Sequence, residues 1–174
     1  TVISGPALKL MERTVKEYEN KHQITIEPVD YINPKTGELE HLDLRGVEPN
    51  EGLWVWNEPN LGTPSQKGPN GVIIQKGESA HSYALGADIA TGRDNDYSTV
   101  EVFDIDTMEQ VAEYMARVPT STFVKIIDYL GRYYNNAIVC PDRTGIGSDV
   151  VADLLEMGYR SEERRVGKEC LRLC

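Results

Sequence analysis

Apolar positions along this chain keep changing their period, and each change marks an element. In LKLMERTVKEYEN (8–20), Leu8, Met11, Val15 and Tyr18 fall at helical spacing. The following QITIEPVDYINPKTGELEHLDLRGVEPNEG is punctuated by Pro28, Pro34, Gly37, Gly46 and Pro49, which leave room only for short strands and turns. LWVWNEP (53–59) predicts a strand with both tryptophans on one face, ended by Pro59. NLGTPSQKGPNGVIIQKGES reads as an irregular connection with one short strand at Val72–Ile74.

After residue 80 the pattern becomes regular. HSYALGAD is a strand candidate, and YSTVEVFDID alternates Val100 and Val102 with Thr99, Glu101 and Phe103, as a half-buried strand does. EQVAEYMARV fits a 3.6-residue period through Val111, Tyr114, Met115 and Val118, yet the turn at Asp104–Thr107 admits it as the third strand of a meander. PTSTFVKIIDYLGRYYN predicts an amphipathic helix capped by Thr120 or Ser121, with Phe123, Ile127, Leu130 and Tyr134 as its apolar stripe. NAIVCPD is continuously apolar and suits a buried parallel strand. RTGIGSDVVADLLEMGY reads as a glycine-rich turn and a helix with Val150, Val151, Leu154 and Leu155 inward, stopped near Gly158. The order predicts an α/β fold: an antiparallel meander followed by α/β units in one mixed sheet, without internal repeats.

With 174 residues, 40% of them hydrophobic, and a mean hydropathy of −0.43, the chain suits one soluble domain, or one domain and part of another. No apolar run approaches the roughly 20 residues of a membrane span, so no membrane partner is expected. The net charge of −10 argues against broad binding of nucleic acid through clustered lysine and arginine. It leaves open an enzyme that holds divalent cations between carboxylates. Cys140, Cys170 and Cys174 form neither a disulfide framework nor a zinc spacing, which points to a reducing, intracellular setting. The chain starts without Met and reads as a piece of something longer. From Arg160 the texture changes: four basic and three acidic groups in residues 161–174 stand against 14 and 25 before them. RSEERRVGKEC resembles a sequencing-library adapter translated in frame, so residues 160–174 are expected to be non-native, with native sequence ending near Tyr159.

The chemistry concentrates in ALGADIATGRDNDYST, with Asp88, Asp94 and Asp96, and in CPD, with Asp142. Asp88 and Asp142 each follow a predicted strand, and ligand sites of α/β sheets form at the carboxyl ends of strands. If the two strands are neighbours, their carboxylates converge, and a hard cation such as Mg²⁺ takes a few oxygen ligands while keeping waters. Asp94 and Asp96 serve equally well as shapers of a hairpin turn. Asp88, among Ala87, Ala90 and Gly92, has small neighbours that let a ligand approach. Other candidates read more plainly as structure: His22, His41 and His81 as surface groups, Cys140 as a buried small residue, Trp54 and Trp56 as packing. Arg93, Lys125, Arg132 and Arg143 read as solvated surface, with phosphate contact the alternative.

The passages LWVWNEP, HSYALGADIATGRDNDYSTVEVFD and LGRYYNNAIVCPDRTGIG, in that order, resemble the nuclease domain of phage large terminase subunits. The resemblance covers about residues 53–159. It implies an RNase H-like fold, incomplete at the C-terminus, with residues 1–52 as the interdomain connection and approach to the nuclease core. It implies Mg²⁺- or Mn²⁺-dependent endonucleolytic cleavage of concatemeric double-stranded DNA, with the portal and small terminase subunit as partners of the intact protein in the host cell cytoplasm. It makes Asp88 and Asp142 the catalytic metal-binding carboxylates and Asp96 an auxiliary metal ligand. Many relatives carry Glu where Asp142 stands, one methylene longer. The family's third Asp lies on a helix beyond a further strand, so the fragment alone is expected to be weak or inactive. No phosphate-binding G-x-x-x-x-G-K-[ST] occurs in the chain. An actin-like or sugar-kinase-like nucleotide-binding domain and a non-catalytic docking module are the alternatives; the glycine of DIATGRDND comes late for the former.

Overall fold

Strict alternation builds the centre of the molecule. In the stretch from Ser98 to Asp104, Ser98, Val100, Val102 and Asp104 are buried while Thr99, Glu101 and Phe103 face outward. A computed structural model describes residues 22–23, 28–69, 71, 73–90, 96–141 and 146–159. Its elements are β1 (His22–Gln23), β2 (Val29–Ile32), β3 (Leu39–Leu42), β4 (Gly52–Val55), β5 (Gln66–Lys67), β6 (Ile73–Gln75), β7 (Tyr83–Asp88), β8 (Ser98–Asp104), β9 (Glu109–Ala116), α1 (Thr120–Tyr133), β10 (Ile138–Pro141) and α2 (Gly147–Glu156).

Six strands form one sheet in the order β1, β4, β9, β8, β7, β10. The meander β7–β8–β9 is antiparallel, β4 adds to β9 antiparallel, and β10 pairs parallel with β7. EQVAEYMARV is thus a strand, and the meander followed by an α/β crossover is the mixed, RNase H-like arrangement expected. Two small hairpins, β2–β3 and β5–β6, stand apart from this sheet. The helix expected at residues 8–20 and the tail at 160–174 lie outside the described residues. The short strand expected at Val72–Ile74 runs from Ile73 to Gln75.

Among the described residues, helix covers only one face of the sheet. Tyr83, Leu85, Val100, Val102, Tyr114 and Val139 form that face, and α1 packs on it through Phe123, Val124, Ile126, Ile127 and Leu130, all at most 1% exposed. Val124, Ile126 and Ile127 are mediocre helix formers, each costing up to about 0.7 kcal/mol against alanine. Burial of each contributes about 1.5–3 kcal/mol, so packing decides the helix. No side chain caps its start. Pro119, in extended backbone, sits at the N-cap and its carbonyl accepts from the amides of Thr122 and Phe123, displacing Thr120 and Ser121 from the capping role expected for them. The helix ends at YYNNA: Asn135 and Asn136 adopt φ of 54° and 55°, a left-handed turn that asparagine tolerates, and it aims the chain into β10.

β10 departs from the expected fully buried strand. Val139 is buried but Cys140 is exposed, because helices cover one face of β10 and its other face is open among the described residues. On α2, Val150 and Leu154 face the core as expected, whereas Leu155 is exposed and Val151 half-buried, which narrows the stripe.

Two locks hold α1. At one flank the buried Asp128 accepts from the Tyr31 hydroxyl (3.0 Å) and from Arg132 Nε (2.9 Å), tying hairpin β2–β3 to the helix. Burial, then the Asp128 charge, push the Tyr31 phenol up, so it stays a donor. At the other flank α2 ends in a Schellman motif: the Gly158 amide, φ +69°, donates to Leu155 O and the Tyr159 amide to Leu154 O. That turn delivers Tyr159 into the core, where its hydroxyl donates to Ala137 O at 2.6 Å. A Cβ on Gly131 would stand 2.2 Å from the Tyr159 oxygen and 2.6 Å from its Cζ. Gly131→Ala gains about 1 kcal/mol of helix propensity but overpacks a ring pinned at both ends, a cost of about 1–3 kcal/mol. We expect net destabilisation in urea denaturation; a more stable variant would show that the ring yields.

Candidate functional site

β7 places Asp88 by alternation. Tyr83, Leu85 and Ala87 point to α1, so Ala84, Gly86 and Asp88 point to the open face. Strand register aligns the neighbours into rows. One row across the sheet reads Cys140, Gly86, Glu101, Glu113, Trp54, and the next reads Asp88, Thr99, Met115, Gly52. Between them lies a depression of about 300 Å³ lined by Gly86, Ala87, Asp88, Thr99, Glu101 and Cys140. Ser98, wholly buried, fixes the chain just beyond Asp88: its hydroxyl accepts from the Ala90 amide at 3.1 Å. The serine of DYS thus shapes the exit from β7.

Of the expected carboxylates, Asp88 stands exposed at the rim of this depression. Asp96 is exposed two residues before β8 and is not among the lining residues. Asp94 and Asp142 lie outside the described residues, as do Arg93 and Arg143. The strands themselves are neighbours: Pro141, the residue before Asp142 in sequence, pairs with Ala87, the residue before Asp88. Glu101 and Thr99 were not singled out by sequence reasoning, although the alternation that buried Val100 and Val102 already put them on one face. Cys140, expected to be buried, is a wall of the depression.

The basic residues are arranged differently from expectation. Arg132 pairs with Asp128 in the first of these locks, and Lys125 pairs with Glu40 on β3, a further tie between α1 and the hairpin. A cation at the Asp88 end of the sheet is Arg117, just past β9, with its guanidinium 4.4 Å from the centre of the Tyr97 ring, hydrogen-bonded to the Tyr97 hydroxyl and 3.9 Å from the Glu51 carboxylate. Trp54, in the Glu113 row, and Trp56, just past β4, are both half-buried.

A second polar cluster sits at the opposite end of β7. His81, Asp104 and Asp106 offer ligand atoms within 4.8 Å of one another, a group able to hold a metal ion. Each is also engaged locally. His81 Nδ1 meets Asp104 Oδ2 at 2.6 Å, Asp104 Oδ1 accepts from the amides of Asp106 (2.9 Å) and Thr107 (3.2 Å), and Asp106 accepts from the Ser82 amide at 2.7 Å. The cluster is a latch closing the β8–β9 turn onto the entry to β7, and His81 is a partnered group, not the surface histidine expected. The Asp104 hydrogen bond raises the His81 imidazole above its ordinary value. Burial works against ionised Asp104, and the hydrogen bonds from His81, Thr107 and Asp106 overcome it, holding the carboxyl below its ordinary value.

The signs follow from linkage. The raised histidine stabilises fully below its unfolded value of about 6.5 and loses this as pH rises through its folded value. The depressed aspartate stabilises above about 3.9 and loses this as pH falls through its folded value. The melting-temperature advantage of the native chain over His81→Ala should therefore be greatest between about pH 4.5 and 6 and should shrink above neutrality. A difference flat across that range would remove the ion pair from the account.

No family model matches the chain, and no curated protein matches it. Among solved structures, it is similar to the large terminase nuclease from thermophilic phage G20c with bound magnesium, at 24% identity and a TM-score of 0.45, covering 68% of this chain and 52% of that one. The cobalt-bound form of the same nuclease matches at 21% identity and a TM-score of 0.45, covering 76% and 58%. The large terminase nuclease domain of Thermus phage P74-26 matches at 22% identity and a TM-score of 0.44, covering 68% and 51%. The chain thus spans about half the length of the structures it matches.

Proposed function

We propose that the chain is part of a phage large terminase subunit, from the nuclease domain that cuts concatemeric double-stranded DNA during packaging. The observation that carries this is the parallel register of β10 with β7, which supports Asp88 and Asp142 acting at one end of the sheet. The donor set fits a hard divalent cation: the described part of the depression presents the Asp88 and Glu101 carboxylates and the Thr99 hydroxyl. Asp88 and Asp142 would hold Mg²⁺ or Mn²⁺, with Asp96 as an auxiliary ligand. Such ions supply Lewis-acid polarisation of a phosphodiester and a water nucleophile at neutral pH. The chain's own groups do the rest. Asp88, on a strand paired along both edges, would hold the cation in a fixed orientation. Glu101 and Glu113 keep the open face negative, so a phosphate approaches only where a cation intervenes. Arg117, stacked on Tyr97 at the same end, offers a contact for a flanking phosphate. The partners in this reading are double-stranded DNA, the portal and the small terminase subunit, in the host cell cytoplasm.

Loss of a group that only supports a metal ligand costs about 10–100-fold, and a direct ligand costs at least as much. In the intact protein, Asp88→Asn should slow Mn²⁺-dependent plasmid nicking at least about 100-fold without lowering the melting temperature. Nicking at the native rate would end the assignment. Specific ATP binding without any metal-dependent cleavage would favour a nucleotide-binding domain instead.

A further inference from the structure

Gly86 is the residue whose identity the fold leaves unexplained. β7 is paired on both edges, with β8 and β10, and glycine inside such a strand weakens it. Other described glycines show a local cause, among them Gly131, which makes room for Tyr159, and Gly52, with φ +100° and backbone atoms 2.8–2.9 Å from where its Cβ would stand. Gly86 has neither. Its φ lies outside the left-handed range, and a Cβ there would meet no atom of the described residues within 4 Å. That Cβ would instead enter the depression beside Asp88, between Glu101 on β8 and Cys140 on β10. Glycine in a strand marks close approach by a ligand where no other backbone occupies the space.

We propose that Gly86 determines access to the Asp88 site: its missing side chain leaves open the floor on which the remaining oxygen ligands of a divalent cation, its waters first, are accommodated. This rests on the reading of Asp88 as a cation ligand. Mg²⁺ and Mn²⁺ hold several waters beyond their protein ligands, and a water takes about 30 Å³ in the liquid, so a depression of about 300 Å³ admits such a shell. A branched side chain at 86 would fill the floor with carbon and leave cation-bound waters without room. It would also suit the strand better than glycine does, so cation binding and fold stability should move in opposite directions.

The test is Mn²⁺ titration of the whole chain, followed by the electron paramagnetic resonance signal of the free ion, with a thermal melt of each variant in metal-free buffer. Native chain, Asp88→Asn, Gly86→Ala and Gly86→Val are compared. We expect Gly86→Val to weaken Mn²⁺ binding about tenfold or more, Gly86→Ala to fall between it and the native chain, and neither to melt below the native chain. Weakening by Asp88→Asn with native affinity in both Gly86 variants would overturn the inference and leave the Asp88 reading standing. Native affinity in Asp88→Asn would overturn both. Should Gly86→Val melt early, Gly86→Ala decides alone: weakened binding with an unchanged melt supports the inference, and native binding overturns it.

Discussion

Parallel pairing between β7 and β10 constrains everything around it. Antiparallel neighbours need only a tight turn, but a parallel partner must return to the end where the first strand began, and a helix is the usual carrier. Here α1 makes that return, with the two left-handed asparagines completing it. Because the return crosses one face, that face becomes the core, and both strands finish at the same end. Core formation and the convergence of strand ends are thus two results of one pairing.

The division of the sheet into two faces separates the packed core from a carboxylate-bearing face. On the covered side, the aliphatic stripe of α1, the Tyr31–Asp128–Arg132 network and the Tyr159 ring bind helices, hairpin and sheet together. On the open side lie Asp88, Glu101, Glu113 and Cys140, none of which belongs to the buried core. The His81 latch is a third, separate element that fastens the far end of the meander.

Much of this architecture was legible because alternation and helical period are short-range signals. Val100 and Val102 named the inward face of β8, and Phe123, Ile127, Leu130 and Tyr134 named that of α1. EQVAEYMARV resisted, because its apolar positions satisfy both periods and pairing with β4 and β8 decides between them. Cys140 was misplaced for a related reason: a continuous apolar run says nothing of whether both faces are covered. The place of Asp88 at a strand end was legible from the run before it, whereas Glu101 became its neighbour only through register, a long-range quantity. Lys125 and Arg132 looked solvated because their partners, Glu40 and Asp128, are fixed by tertiary contacts. The His81 latch likewise joins groups 23 residues apart, beyond any local pattern.

The row that carries Gly86 also sets Glu101 directly opposite Glu113. Like charges facing across an antiparallel pair repel, and any counterion cloud relieves them. Plain sodium chloride should consequently steady this sheet to some degree without binding at any particular place. A rise in thermal resistance on adding a divalent salt therefore mixes coordination with simple screening, and only a comparison at matched ionic strength isolates the first from the second.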